Sequence, residues 1–161
     1  MTISHVGITV SDVQEMTAFY LAVLKPLGYD KRMEPAKDVI GLGPKFCGPP
    51  FWIAPGLDAS KEAKGEKLHV AFHASNRQQV RDFHAAALKA GATCNGPPGV
   101  RKQYFPTYYA AFVLDPEGRN IEAHCMSPAF ISEPVQRNIL LAAVGAIVAG
   151  IAFWAHTNNI F

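Results

Sequence analysis

The chain has 161 residues, 49% hydrophobic and 17% charged, which is typical of one compact unit and excludes two independent enzymatic domains. Fifteen Lys and Arg against 13 Asp and Glu form no basic stripe, so nucleic acid is not expected as a partner. Three cysteines without Cys-x-x-Cys spacing indicate free thiols rather than disulfides or thiolate-bound zinc. The first ten residues lack the basic start and apolar run of a secretion signal, so a cytosolic location is expected.

A gapless repeat with an offset of 64 residues dominates the sequence. Residues 5–25 align with residues 69–89, and eight positions are identical, among them the pair His5 and His69. Each copy begins with the apolar–polar alternation of a half-covered strand. A helix follows in each copy, and the Ser-x-x-Gln patterns at Ser11 and Ser75 predict its N-cap. A duplicated module is therefore the basic unit of the fold.

In chain order, each copy contains one strand, one helix and three further strands. The first helix is expected to end near Leu24 and the second near Leu88. The later strands are predicted at 29–33, 39–42, 51–54, 92–95, 108–114 and 120–125, with a turn at 115–118. The sequence predicts an α+β fold in which two tandem βαβββ modules, about 3–55 and 67–126, form an incomplete barrel within one domain of residues 1–128.

Three side chains form a candidate metal site. In the last strand, the alternation places Glu122 on the polar face, which is also the face of His5 and His69 in the first strands of the two modules. If the modules pair around one curved sheet, two imidazoles and one carboxylate point into one concavity. Such a set leaves positions for water or substrate and suits a divalent first-row metal, namely Fe, Mn, Ni, Co or Zn.

Residues 3–126 resemble the vicinal oxygen chelate superfamily, which includes glyoxalase I, extradiol dioxygenases and bleomycin-resistance proteins. The motifs at 5–12, 69–72 and 112–123 carry the resemblance. It implies a metal held by His5, His69 and Glu122, and a lyase, isomerase or dioxygenase acting on a small organic substrate with vicinal oxygens. Ile53 or its neighbour Trp52 stands where glyoxalase I has a fourth ligand, which disfavours that activity.

The resemblance also leaves one alternative open and bears on the oligomeric state. A metal-free protein of the bleomycin-resistance type would use the same cavity to bind or sequester a small molecule. Single-domain members of the superfamily commonly pair as dimers that complete or cover their sites. A homodimer is therefore one of the assemblies that the resemblance implies.

Further residues surround the predicted site. His73 and His124 lie further along the same inner faces, where each either orients a ligand and moves a proton or is a hydrogen-bonded cavity residue. Arg101 can meet a substrate carboxylate or enolate, or stay solvated. Aromatic side chains near it either line a pocket or belong to the core. The predicted substrate pocket contains Trp52, Arg101, Tyr104 and Tyr109.

Charged residues stop at Arg137, and residues 139–155 are all apolar. A helix over 136–156 is predicted that is hydrophobic on every face. It either anchors the protein to an intracellular membrane or is shared with a second subunit, and its C-terminal position favours the membrane. The sequence Ser132-Glu-Pro134 predicts a break between this helix and the domain.

Overall fold

The computed structural model describes residues 3–56 and 68–157. The predicted start of the domain at residue 1 and that of the second module at residue 67 lie outside the described residues. The first module consists of β1 (Val6–Val10), α1 (Val13–Leu24), β2 (Tyr29–Ala36), β3 (Val39–Pro44) and β4 (Phe51–Pro55). The second consists of β5 (His69–His73), α2 (Arg77–Lys89), β6 (Thr93–Val100), β7 (Tyr109–Leu114) and β8 (Asn120–Cys125). The helices α3 (Ala129–Ser132) and α4 (Pro134–Thr157) follow.

Each module forms one open four-stranded sheet. The strand orders are β1-β4-β3-β2 and β5-β8-β7-β6, with parallel pairing between β1 and β4 and between β5 and β8. These equivalent topologies confirm the predicted α+β fold of two βαβββ modules. Both β1 and β5 are edge strands, and no backbone ladder joins them in the described part of the chain.

Both long helices of the modules begin one residue later than predicted. The caps are Asp12, which accepts from the amide of Glu15 at 2.9 Å, and Asn76, which accepts from the amide of Gln79 at 2.9 Å. The predicted serine caps are therefore wrong. In the second helix, Gln79 Oε1 also accepts from the amide of Ser75, the residue before the cap, at 2.8 Å.

The two modules share one hydrophobic core, in which aromatic rings meet edge to face. Tyr20 of α1 contacts Phe51 of β4 at 4.9 Å between ring centroids, and Phe51 contacts Phe72 of β5 at 5.3 Å. These residues are almost fully buried. Because the contact crosses from the first module to the second, the apolar faces of both sheets stabilise a single domain.

A buried polar network centred on Arg119 also joins the modules. Its guanidinium, 1% exposed, pairs with Asp115 at 3.1 Å and Glu117 at 2.6 Å and donates to the Thr9 carbonyl of β1 at 2.5 Å. The Tyr20 hydroxyl donates to Asp115 at 2.7 Å. The turn between β7 and β8 is thereby fixed to the first strand and helix of the other module.

The C-terminal helix α4 has 24 residues and leaves its apolar side chains exposed. Its segment Asn138–His156 is long and apolar enough to cross a membrane, and only 6% of this segment is buried. The chain breaks before it as predicted, since Glu133 is extended between α3 and α4, but this segment is packed against the second module. Ser132 is buried, and Glu133 accepts two hydrogen bonds from Arg81 of α2, at 3.0 and 2.8 Å. The base of the helix is therefore docked on the second module.

Candidate active site

Glu122 is a buried carboxylate at the centre of the second sheet. It is 2% exposed, and its Oε2 lies 2.8 Å from Nε2 of His69. Its Oε1 accepts a 2.6 Å hydrogen bond from the Tyr108 hydroxyl. Burial and this carboxylate raise the pKa of Tyr108, so the phenol keeps its proton and remains a donor. Sheet register places Glu122 beside Ala71 on one side and Phe112 on the other.

His73 and His124 lie at the end of the same sheet face. They are direct partners in the β5–β8 register, and their rings meet edge to face at 5.6 Å. Tyr108 stacks on His124 with ring centroids 5.1 Å apart and planes 4° from parallel. Burial, opposed by Glu122, lowers the pKa of His124, and its Nδ1 has no hydrogen-bond partner among the described residues. A neutral imidazole with a free nitrogen therefore adjoins the carboxylate.

His5 lies just before β1 and is exposed. Its Nδ1 is 2.8 Å from the Ser4 hydroxyl. It lines a cavity of about 370 Å³ together with His69 and His73. Among the described residues, no three His, Cys, Asp or Glu side chains form a metal-binding group. A single chain thus brings together two of the three predicted ligands, His69 and Glu122, and leaves His5 outside that pair.

The sheet register identifies the position of the fourth glyoxalase I ligand. Gly7 pairs with Trp52 in the first module, and Ala71, its repeat equivalent, pairs with Glu122 in the second. Trp52, rather than the core residue Ile53, is therefore the equivalent of Glu122. An indole is not a metal ligand, so the first module supplies no fourth donor there. Trp52 lies on the face of the first sheet opposite to its core and does not line either cavity described.

A second cavity of about 310 Å³ extends from His69 along the second sheet. Arg101 and Tyr104, two of the predicted pocket residues, line it. The Arg101 guanidinium lies 5.4 Å above the Phe112 ring and donates to the Pro97 carbonyl at 2.6 Å. Its other lining side chains are the Phe112 ring and three amides, namely Asn95, Gln103 and Asn120.

Tyr109 does not belong to this pocket, so that prediction is wrong. Its ring lies on the opposite, helix-facing side of β7, where the guanidinium of Arg77 is 4.8 Å from the ring centroid. Its hydroxyl is 3.5 Å from Nη1 of Arg81. Strand alternation is the reason, because Tyr108 shares the parity of Phe112, which pairs with Glu122. The same alternation could have identified Tyr108 as the tyrosine of the site.

Several solved structures are similar to this chain. A glyoxalase/bleomycin resistance protein from Albidiferax ferrireducens T118 is 30% identical, with 75% of this chain and 95% of that chain covered and a TM-score of 0.61. A glyoxalase/bleomycin resistance protein/dioxygenase family enzyme from Burkholderia phytofirmans PsJN is 23% identical, with coverages of 79% and 100% and a TM-score of 0.59.

The chain belongs to the glyoxalase/bleomycin resistance family of the vicinal oxygen chelate superfamily. A fosfomycin resistance protein, FosX, from Listeria monocytogenes, solved with Mn(II) and 1S,2S-dihydroxypropylphosphonic acid, shares the fold at 17% identity, with coverages of 80% and 92% and a TM-score of 0.57. A scan against family models found no match, and neither did a search of curated proteins.

Proposed function

We propose that the protein is a metal-dependent lyase, isomerase or dioxygenase that acts on a small substrate with vicinal oxygens. The observation that supports this is the buried Glu122 carboxylate paired with His69. No Lys or Arg among the described residues neutralises that carboxylate, and a buried charge is costly unless it is paired or binds a metal. Carboxylate oxygen and imidazole nitrogen are suitable donors for Fe, Mn, Ni, Co or Zn.

The third ligand in this proposal is His5 of a second copy of the chain. Both β1 and β5 lie at the edge of their sheets, where one side of each pairs with no described strand, and edge strands readily pair with another chain. Gly7 of β1 and Ala71 of β5 are exposed, which leaves room for a second sheet to approach. A symmetric dimer that pairs β1 of one copy with β5 of the other would bring His5 of one copy to His69 and Glu122 of its partner and form two equivalent sites.

In this site, the metal would act as a Lewis acid for the vicinal oxygens of the substrate and the enolate charge that develops on them. Tyr108 holds Glu122 in place through its hydrogen bond. His124 supplies an uncharged imidazole, whose unpartnered Nδ1 can take a proton from the substrate. His73, in edge contact with His124, orients that ring.

Metal analysis tests the proposal. Protein purified without chelator and reconstituted with each candidate metal should bind it tightly, and Glu122→Gln should abolish binding while the fold is retained. Glu15→Gln, an exposed carboxylate on α1, is the matched control. Metal below about a tenth of an equivalent in the wild type, with no rebinding, would support the metal-free binding protein instead. A product-profiled screen of diketones, catechols and hemithioacetals then identifies the reaction.

Mixing two inactive variants tests the shared site. His5→Ala and Glu122→Gln are each expected to lose metal binding as homodimers. After co-expression, each mixed dimer keeps one intact site, so about a quarter of all sites should bind metal again if subunits pair at random. Absence of any recovery in verified mixed dimers would mean that the ligands come from one chain.

We also propose that α4 anchors the protein to an intracellular membrane, with the two modules in the cytoplasm. Its apolar segment Asn138–His156 has 19 residues and is about 28 Å long as a helix, close to the thickness of the hydrocarbon core. Full-length protein should resist carbonate extraction. Gly145→Arg should release it, because a charge at the helix centre opposes insertion, and Gly145→Leu should not. A Cβ at this glycine meets nothing within 4 Å, so neither change disturbs packing. A wild type that is soluble without detergent would make α4 an oligomerisation helix.

A further inference from the structure

We infer that the cavity containing Arg101 is a subsite for an oxyanion, so that the substrate is a small acid whose carboxylate or phosphonate lies beyond its vicinal oxygens. The inference rests on the proposed function for the position of the reacting oxygens. Independently of that function, the inference is based on the surroundings of the Arg101 guanidinium.

The guanidinium of Arg101 lies close to the backbone of two glycines. A Cβ on Gly99 would lie 2.9 Å from its Nη1, and a Cβ on Gly96 would lie 3.4 Å from its Nη2 and 3.0 Å from the Phe112 ring. Both glycines therefore leave space that the guanidinium uses. With the Phe112 ring below it and the Pro97 carbonyl accepting one hydrogen bond, the arginine is oriented before a ligand arrives.

The charge of this arginine has no acidic partner among residues 3–56 and 68–157. Arg81 is paired with Glu133, and Arg119 is paired with Asp115, whereas no carboxylate among the described residues lies within ion-pair distance of Arg101. Its Nη2 donates to the Pro97 carbonyl, whereas its Nε and Nη1 donors have no acceptor among the described residues. A planar guanidinium with free donors is suited to bind a carboxylate or phosphonate through two hydrogen bonds.

The other polar groups of the cavity suit the same ligand. Asn95, Gln103 and Asn120 bring amide groups to its wall, and Asn95 donates to Asn120 at 3.1 Å. Amide N–H groups can donate to oxyanion oxygens that the guanidinium does not reach. In the part of the chain that the structure describes, no Asp or Glu lines this cavity, so no described side chain on its wall repels an anion.

His69 connects the subsite with the reacting centre. It lines this cavity at one end and contacts Glu122 with its Nε2. A ligand whose vicinal oxygens lie at His69 and Glu122 can therefore extend an acidic group toward Arg101. The volume of about 310 Å³ is at the lower limit of small-molecule sites, which suits a small substrate.

Isothermal titration of metal-loaded, full-length protein tests the subsite with matched ligands. The probes are 3,4-dihydroxybutanoate and 2,3-dihydroxypropylphosphonate, with 3,4-dihydroxybutanamide as the uncharged analogue. The acids should bind about 10- to 100-fold more tightly than the amide, because a charge-assisted pair is lost in the amide. Arg101→Gln should remove that preference, and Arg101→Lys should keep part of it. Lys102→Gln, an exposed neighbour of equal charge, should leave it unchanged.

Equal affinity for acid and amide in the wild type, including binding of neither, would overturn the inference. So would an equal loss in Lys102→Gln, which would indicate a general positive field. Metal content, measured on the same samples, separates this result from the proposed function. If the protein prefers the acids but holds no metal, the subsite is supported and the metal-dependent reaction is refuted. If it binds metal without preferring the acids, the subsite is refuted and the metal-dependent reaction is supported.

Discussion

Replacement of Arg119 by Met is expected to destabilise the domain strongly, because it removes the charge that joins the two modules. The arginine is 1% exposed, and its carboxylate partners Asp115 and Glu117 have side chains 0% and 9% exposed. Methionine preserves much of the apolar volume but leaves two buried carboxylates without their cation. It also removes the hydrogen bond to the Thr9 carbonyl of the first module.

The size of the stability loss depends on the hydrogen bonds that each carboxylate keeps in the variant. Breaking a buried ion pair by removing one member costs about 3 to 5 kcal/mol. Asp115 still accepts from the Tyr20 hydroxyl and from the amide of residue 119, and Glu117 still accepts from Ser11. We therefore expect the lower end, about 3 kcal/mol, which is a large share of a typical domain stability of about 5 to 15 kcal/mol.

Urea unfolding of the full-length protein in mild detergent, followed by circular dichroism, measures this loss. Arg119→Lys, which keeps a charge but not the planar fork, should cost less than Arg119→Met. Adding Glu117→Gln to the Met variant should recover part of the stability, because one uncompensated carboxylate is then neutral. A loss below about 1 kcal/mol for Arg119→Met, or no recovery in the double variant, would refute the reasoning.

Three further predictions concern single hydrogen bonds and one turn. Tyr108→Phe should weaken metal binding about tenfold, since it removes a hydrogen bond to the Glu122 carboxylate, and competition with a fluorescent chelator measures this change. Burial raises the pKa of Glu117, but hydrogen bonds from Ser11 outweigh this effect and lower it. Ser11→Ala should therefore cost stability at about pH 7, and this cost should shrink as the pH falls below about 4.3, the usual glutamate value, because the carboxyl then takes up a proton. Unfolding in urea across this pH range measures the change. Gly28→Ala should lower the free energy of unfolding by about 1 kcal/mol, because this residue has φ of +82°. Thermal unfolding measures this loss, and an unchanged melting temperature would mean that the backbone relaxes to accept alanine.

Most of the fold could be predicted from local patterns. Period-2 alternation and the repeat of 64 residues identify both modules because they depend only on neighbours along the chain. The prediction for β8 is correct in its limits, since the turn that begins at Asp115 and the alternation around Glu122 are both local. The helix starts were missed by one residue because serine and aspartate compete as caps, and Ser11 instead bonds to Glu117 of the other module.

The sequence by itself determined which side chains share a strand face, because a strand turns successive residues to opposite sides whatever surrounds it. It therefore predicted that Glu122 and His69 point to the same face of the sheet. The same alternation places Tyr108 on that face and Tyr109 on the opposite one, outside the pocket. Only the tertiary structure decided how the faces of different strands meet. The separate sheets keep His5 away from Glu122, and two glycines leave space around Arg101, because both depend on packing between segments distant in sequence.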